Sequence, residues 1–299
     1  MTINVNKKID LVERPSSPLD LNLKIKIRSY YNFGVRIFGH LILFTLVIIC
    51  IFPVYWMLVS SLKDSNAIFD PNIFPQSPTL DNYTYVINQI PIVRMLWNTF
   101  FVALVTASLH VLTGLMAGYA FARWSFKFDK VIMGLIAMTW LVPFQVTMIP
   151  NYILISKMGL LDTLLGLVIP HMVAPFAVMM LYQAIKAFPK DGIEAARIDG
   201  VSDWRLMLEI IAPNLRASLV SLFILAFVTS WNEYFWPLLL NRKIENSVAQ
   251  IGLQMFMTQE GNQWGALMAA STLVSIPILV IYMFLHRHVV ESFMRSGLR

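Results

Sequence analysis

The stretch Phe188–Pro213, FPKDGIEAARIDGVSDWRLMLEIIAP, is the longest polar and charge-bearing interval between two strongly apolar segments of the chain. Pro189 and Asp191 favour the start of a helix, and the sequence EAARI consists of good helix formers. Gly200 is expected to end that helix, and a second helix, WRLMLEII, is expected to follow before Pro213. The pattern predicts a helix–glycine–helix element outside the bilayer, joined at both ends to membrane segments.

The composition indicates an integral membrane protein. Of the 299 residues, 57% are hydrophobic and only 13% are charged, whereas soluble domains carry about 25% charged residues. The formal charge of +6 is expected to lie in cytoplasmic loops, so it does not predict nucleic-acid binding. The single cysteine, Cys50, lies in an apolar run and cannot form an intramolecular disulfide or a thiolate metal site.

Six apolar runs are long enough to cross a bilayer, which requires about 20 residues. They lie at 37–59, 98–120, 131–153, 165–186, 217–240 and 266–285. We therefore predict an all-α membrane protein with one six-helix domain over residues 37–290. A basic N-terminal tail, disordered or surface-lying, is expected over 1–36, and a short C-terminus over 291–299. Prolines inside the runs are expected to mark kinks, and DNYTYVINQI, residues 81–90, is expected to form a short helix in an external loop.

The basic residues predict the orientation. The N-terminal segment, the loops after the second and fourth runs, and the C-terminus together hold 18 of the 23 Lys and Arg residues, and the other side holds five. Because cytoplasmic loops are enriched in Lys and Arg, both termini and the 187–213 loop are expected in the cytoplasm.

The 187–213 loop also resembles the EAA signature of permease subunits in binding-protein-dependent ABC importers. The residues that carry the resemblance, at the family's spacing, are Glu194, Ala195, Ala196, Asp199, Gly200 and Pro213. The resemblance implies an ABC type I importer permease fold in a bacterial inner membrane, and a loop that docks into a groove on a separate ATPase subunit. On its own, the loop also fits an amphipathic helix pair that covers the cytoplasmic membrane face.

The fifth apolar run contains a carboxylate. A carboxylate at membrane depth normally faces protein or a water-filled cavity, so Glu233 is a candidate for the translocation path or for a helix–helix bond. Its neighbours Trp231, Asn232 and Tyr234 join it as candidate substrate-pathway residues, although the aromatic rings fit an interfacial belt equally well. The WNEYFWPLLL stretch resembles the fifth helix of the sugar-importing, maltose-type branch of this permease family.

Enzyme and metal chemistry are not indicated. The sequence has no G-x-x-x-x-G-K-[ST] phosphate loop and no H-E-x-x-H metal helix. His110 either lines a polar path or bonds a neighbouring helix, and we favour the helix bond. Gly114 and Gly118 form a G-x-x-x-G step that is expected to let helices approach closely. We predict no catalytic residues and no bound metal or cofactor.

The predicted function is that of a permease subunit in an ATP-driven sugar importer. The resemblance implies a homologous permease as partner, two ATPase subunits that bind ATP and Mg²⁺, and an extracytoplasmic solute-binding protein. Membrane lipid surrounds the subunit. Three alternatives stay open: another solute such as a glycerol phosphate or an amino-acid-like compound, an ion-coupled secondary transporter, and an intramembrane enzyme. A secondary transporter would usually carry acidic or His relays and internal repeats.

Overall fold

The computed structural model describes the backbone of residues 18–64, 67–124, 126–258 and 261–297, and the side chains of 34–64, 67–124, 126–189, 191–257 and 263–284. The described residues form fourteen α-helices: α1 Pro18–Ser61, α2 Asp81–Gln89, α3 Ile92–Arg123, α4 Asp129–Trp140, α5 Phe144–Lys157, α6 Leu164–Val168, α7 Pro175–Lys186, α8 Lys190–Ile198, α9 Asp203–Arg205, α10 Ala212–Asn214, α11 Arg216–Trp231, α12 Phe235–Leu240, α13 Ala249–Gln254 and α14 Trp264–Gly297. A π turn, Leu206–Ile211, joins α9 to α10, and 3₁₀ turns cover Ile169–His171 and Ile244–Asn246.

The fold is all-α, as predicted. Among the described residues, extended structure is limited to two-residue strands, β1 Met257–Thr258 and β2 Gly261–Asn262, which pair antiparallel with Met257 opposite Asn262. The helix α2 lies in the segment DNYTYVINQI, where a short helix was expected.

The chain divides into residues 1–56 and residues 57–299. In the first unit, α1 begins at Pro18, so residues 18–36 of the predicted N-terminal tail are helical, and residues 1–17 lie outside the described residues. No glycine or proline interrupts residues 19–33, which allows the helix to extend toward the N-terminus. The apolar side chains between Val35 and Phe52 are exposed, as expected for a lipid-facing helix.

Three described helices are long and apolar enough to cross a membrane. They are Gly34–Ser61 within α1, Ile92–Arg123, and Trp264–Phe284 within α14. Three bent pairs meet the same criteria of length and composition: Asp129–Trp140 with Phe144–Lys157, Leu164–His171 with Pro175–Lys186, and Asp203–Asn214 with Arg216–Trp231, bent by 96°, 50° and 82°. With each pair counted as one span, the described residues offer six spans, the number predicted. The last pair begins at Asp203, inside the loop predicted to lie outside the bilayer, and not at residue 217.

The prediction of one continuous fifth span over residues 217–240 is wrong. It is two helices, α11 and α12, separated by a break at residues 232–234. Pro237 accounts for the break, since in a continuous helix its ring would clash with the carbonyl of Glu233, whereas the first turn of α12 needs no N–H donor there. The Glu233 carboxylate instead accepts a hydrogen bond from the backbone amide of Trp236 at 3.3 Å.

The predicted close helix contact at the G-x-x-x-G step is confirmed between α3 and α7. A Cβ atom at Gly118 would lie 2.8 Å from the backbone nitrogen of Tyr182. A Cβ atom at Gly114 would lie 3.0 Å from the carbonyl carbon of Ala177. Only the absence of a side chain lets the two backbones approach this closely.

Helix α3 is the centre of the second unit, because it contributes to all three apolar clusters. Met95, Ala103 and Ala107 pack in a cluster with α11 and α14. Leu115 and Tyr119 pack with α7, α8 and the π turn, and Val102 packs with α5, α6 and α12. The loop element at residues 187–213 is therefore seated on the same helix that runs through the middle of the bundle.

The loops at the other end of the bundle are joined at Asp162, which has a positive φ of 56°. Its carboxylate accepts hydrogen bonds from the backbone amides of Arg242 and Lys243, and its carbonyl accepts one from Asn246 at 2.8 Å. These amides hold the pKa of the Asp162 carboxyl below its usual range. Because the folded-state pKa is lowered, this contribution to stability is present at neutral pH and is lost as the pH falls through that lowered value.

Candidate functional site

The loop of residues 187–213, named here the EAA loop, begins with an amphipathic helix. Pro189 is the N-cap of α8, and Asp191 lies in its first turn, where a carboxylate complements the helix dipole. Ile193 and Ala196 are buried in the cluster shared with α3 and α7. The side of α8 that faces the bundle is thus fixed by apolar packing.

Gly200 ends α8 as predicted. Its φ is +77°, in the left-handed region that favours glycine. The amide of Gly200 bonds the carbonyl of Arg197 at 3.0 Å, and the amide of Val201 bonds the carbonyl of Ala196 at 3.1 Å. This pair of bonds is the Schellman motif, which satisfies carbonyls at the helix end and sets the direction of the following chain.

The second arm of the EAA loop is longer than predicted. It begins after the N-cap Ser202 and continues through the π turn to Asn214, so Pro213 lies inside it rather than beyond its end. In a regular helix Pro213 would remove a hydrogen bond, and the wider π turn directly before α10 accommodates it. An 82° bend at Leu215 then leads into α11.

Four polar side chains, Tyr119, Arg123, Arg197 and Asp203, fasten the EAA loop and the end of α7 to the bundle. The hydroxyl of Tyr119 donates to Oδ1 of Asp203 at 2.7 Å, and Nη2 of Arg197 donates to the same oxygen at 3.3 Å. One turn further along α3, Nη2 of Arg123 donates to the carbonyl of Ile185 at 3.0 Å. These bonds link α3 to both arms of the loop and to the end of α7.

The opposite side of the EAA loop is exposed. Glu194, Ala195 and Asp199 are exposed, together with Ile198 (86%) and Trp204 (55%). Exposed large apolar side chains among polar neighbours are typical of a protein-binding surface. Among the predicted coupling residues, Ala196 alone faces inward, where a small side chain allows α8 to pack closely.

A cavity of about 60 Å³, with a mainly apolar surface and several polar groups, lies between α3, the Leu164–His171 segment and the break after α11. Its lining includes Glu233, Thr106 and both histidines, His110 and His171. Nε2 of His110 lies 2.6 Å from the carbonyl oxygen of His171; a carbonyl only accepts, so that nitrogen carries the proton. The buried hydroxyl of Thr106 has no hydrogen-bond partner within the described part of the chain.

Both interpretations of His110, the bond to a neighbouring helix and the place on a polar path, fit its position. The expected bond to a neighbouring segment is present, and the same side chain also lines a cavity that contains other polar groups. His171 and Glu233 were not predicted to meet His110, because they are distant in the sequence. In the sequence, the indication that polar groups converge there is the presence of histidines and a carboxylate in separate apolar runs.

The two tryptophans of the WNEYFWPLLL stretch lie inside the helix packing. Trp231 is 1% exposed and stacks on Phe227 with 5.6 Å between ring centroids. Trp236 is equally buried, and its indole N–H donates to the carbonyl of Gly166 at 3.1 Å. Within this chain, both rings support the break rather than lie on the cavity surface.

Asn232 and Tyr234 form hydrogen bonds with side chains of α13. Asn232 is exposed, donates to the carbonyl of Val228 at 2.8 Å and accepts from Nε2 of Gln250 at 3.3 Å. The hydroxyl of Tyr234 bonds the side-chain oxygen of Gln254. Of the four predicted pathway residues, Glu233 therefore lines the cavity, Asn232 and Tyr234 flank it, and Trp231 lies behind it.

A bundle of bent and broken membrane helices, with an exposed helix–glycine–helix loop at one end, defines the membrane subunit of a transporter. The chain belongs to the family described as "binding-protein-dependent transport system inner membrane component", whose model matches residues 110–295. The family is the membrane permease subunit of ABC importers, and the ATPase is a separate subunit. The predicted family, the location in an inner membrane and the assignment as a subunit other than the ATPase are confirmed.

The names of similar proteins are consistent with this family assignment. The chain is 27% identical to the lactose transport system permease protein LacG of Rhizobium radiobacter over 82% of this chain and 90% of the relative. It is 28% identical to the arabinooligosaccharides transport system permease protein AraQ of Bacillus subtilis strain 168 over 91% and 97%. A crystal structure of a bacterial ABC transporter involved in alginate import has a chain with the same fold, at a TM-score of 0.76, 20% identity, and coverage of 88% and 98%.

Proposed function

We propose that this chain is the permease subunit of an ATP-driven importer for a sugar, an oligosaccharide or a related carbohydrate. It forms half of the translocation pathway with a homologous permease, and two ATPase subunits and an extracytoplasmic binding protein complete the importer. The observation that carries the proposal is the EAA loop, which is fastened to α3 on one side and exposed on the other. Lactose and arabinooligosaccharides in the names of relatives support the substrate class.

The EAA loop transmits the movement of the ATPase. Glu194 accepts a charge-assisted hydrogen bond from the ATPase groove, and Ala195 permits close contact with it. Asp199 and Gly200 form the turn, Ala196 anchors α8, and Pro213 lies in the arm that leads to α11. Because ATP prefers one state of the ATPase pair, closure of that pair shifts the permease between inward-open and outward-open states through rigid-body movement of the attached helices.

The cavity at the break after α11 is the chain's share of the substrate pathway. Glu233 supplies a hydrogen-bond acceptor to sugar hydroxyls, with Asn232 and Tyr234 beside it and Trp231 holding the break in place. The unpartnered hydroxyl of Thr106 supports this proposal, since a buried polar group without a partner is suited to a transient ligand or water.

A pull-down tests the coupling role. The chain and the variants Glu194→Ala and Gly200→Tyr are solubilised in detergent, and the ATPase that co-purifies is quantified. We expect the ATPase with the native chain and markedly less with both variants. Glu245→Ala, an exposed carboxylate in a loop predicted to be external, is the matched control. Failure to recover any ATPase with the native chain, under conditions that preserve membrane complexes, contradicts the proposed docking of the EAA loop.

Uptake into proteoliposomes tests the substrate class and the pathway. Labelled oligosaccharides are compared with glycerol phosphate as the alternative substrate, using the complete importer. We expect ATP-dependent oligosaccharide uptake, and a raised KM for Glu233→Gln relative to Glu245→Gln. Uptake of glycerol phosphate alone contradicts the sugar assignment, and an unchanged KM for Glu233→Gln contradicts its place in the pathway.

A further inference from the structure

We propose that a basic cavity at the end of the bundle near the EAA loop binds the phosphate of an anionic glycerophospholipid. The cavity, about 410 Å³, lies where the end of α3, the start of α4 and the end of α7 meet. This volume is in the range of small-molecule sites. The lining residues with a charge, an aromatic hydroxyl or an indole are Arg123, Trp124, Asp129, Lys130, Tyr182 and Lys186.

The charge of the lining fits a phosphate. It contains three cations, Arg123, Lys130 and Lys186, and one carboxylate, Asp129, which leaves a surplus of two positive charges. Oδ1 of Asp129 accepts a hydrogen bond from the backbone amide of Lys130 at 2.6 Å, so this carboxylate already has a partner at the start of α4. Clusters of Lys and Arg between membrane helices at the cytoplasmic side are a recurrent feature of sites for anionic lipid head groups.

Two cations are held in place by the protein. The Nη2 atom of Arg123 donates to the carbonyl of Ile185 at 3.0 Å, while its Nε is buried and has no partner among the described residues. Nζ of Lys186 donates to the hydroxyl of Tyr182 at 3.0 Å and lies 5.1 Å from the centre of that ring.

The apolar part of the lining favours a lipid over a soluble phosphate. Phe121 and Met133 line the cavity beside the cations. Two turns further along the same face of α4 as Met133, the side chain of Trp140 is exposed, as a surface for acyl chains. Trp124 is exposed at the mouth, and tryptophan is enriched at head-group level.

The test uses the permease complex in nanodiscs that contain phosphatidylcholine and phosphatidylglycerol in equal amounts. Bound lipid is released from the complex and quantified by native mass spectrometry. The variant is Lys130→Gln/Lys186→Gln. The control is Arg94→Gln/Lys157→Gln, which removes two exposed cations at the other end of the bundle. Parallel samples contain inorganic phosphate.

We expect the native and control complexes to retain phosphatidylglycerol over phosphatidylcholine. The variant should lose this retention by about 5-fold for each lysine and about 25-fold for the pair. Equal retention by the variant and the control overturns the proposal. Displacement of the lipid by inorganic phosphate at matching concentration also overturns it, since the site then takes a soluble anion. Neither outcome affects the proposed import function.

Discussion

At the scale of single residues, the EAA loop depends on one backbone conformation and one shared carboxylate. Gly200 has a positive φ, and no described heavy atom lies within 4 Å of a Cβ built there. Space therefore does not require glycine at this position, but the backbone conformation does. Asp203 is different, because its role comes from its partners, Tyr119 and Arg197.

Gly200→Asn and Gly200→Val separate backbone strain from bulk. Asparagine tolerates the left-handed region, whereas a β-branched residue there costs about 1–2 kcal/mol. We expect near-native uptake for Gly200→Asn and strongly reduced uptake for Gly200→Val, at equal abundance in the membrane. Similar loss in both variants would instead mean that the ATPase surface accepts no side chain at this position.

Tyr119→Phe removes the hydroxyl that holds Asp203. We expect a loss of about 1 kcal/mol in unfolding free energy. Asp203 then keeps its exposed pair with Arg197, which contributes little, and a side-chain hydrogen bond from Trp124. Amide hydrogen exchange at residues 199–203 should accelerate. Tyr152→Phe, which loses a hydroxyl contact to Arg242 at the other end of the bundle, is the control. Unchanged exchange in Tyr119→Phe contradicts the fastening role.

At the scale of elements, the contact between α3 and α7 decides where both functional regions lie. The two backbones are in contact at Gly114 and Gly118. The same helix, α3, carries Thr106 and His110 to the cavity and Tyr119 to the EAA loop. A shift of α7 against α3 therefore alters the support of the loop and the geometry of the cavity together.

Gly118→Ala should destabilise this contact. The added methyl group meets backbone atoms of α7 at 2.8 Å, and overpacking of this kind costs about 1–3 kcal/mol. We expect a lower melting temperature in detergent. Gly134→Ala is the control, since no described atom lies within 4 Å of a Cβ at that helical position. Equal melting temperatures for the two variants would show that α7 can move away without cost.

At the scale of the whole molecule, the distribution of basic residues predicts that the EAA loop faces the cytoplasm and the Asp162 loops face outward. The five basic residues outside the cytoplasmic set include Lys157, Arg242 and Lys243. The last two donate their backbone amides to Asp162, so one end of the molecule is tied together by loop contacts. The other end carries the EAA loop and the basic cavity.

Cysteine labelling tests this orientation. In a Cys50→Ser background, Glu194→Cys and Glu245→Cys each present one exposed thiol. A membrane-impermeant maleimide added to intact cells should label position 245 and leave position 194 unlabelled until the membrane is opened. The reverse pattern contradicts the predicted topology and, with it, docking of the EAA loop on a cytoplasmic ATPase.

The sequence by itself determined the features that depend on local chemistry. Hydropathy predicted the number of spans, although not the break within 217–240, because partition into lipid is a property of a segment and not of its neighbours. The helix start at Pro189 and its end at Gly200 were predictable for the same reason, since caps and positive φ values involve only adjacent residues.

Only the tertiary structure decided which side chains meet. The bond from His110 to His171 joins residues 61 apart, and the bond from Tyr119 to Asp203 joins residues 84 apart. Such pairs depend on how each helix is rotated and where the helices cross, and hydropathy contains no information on either. The break at residues 232–234 depends on both local chemistry and tertiary packing. Pro237 is a local signal for the break. The cavity that Glu233 lines exists only once α3, α6 and α11 pack together.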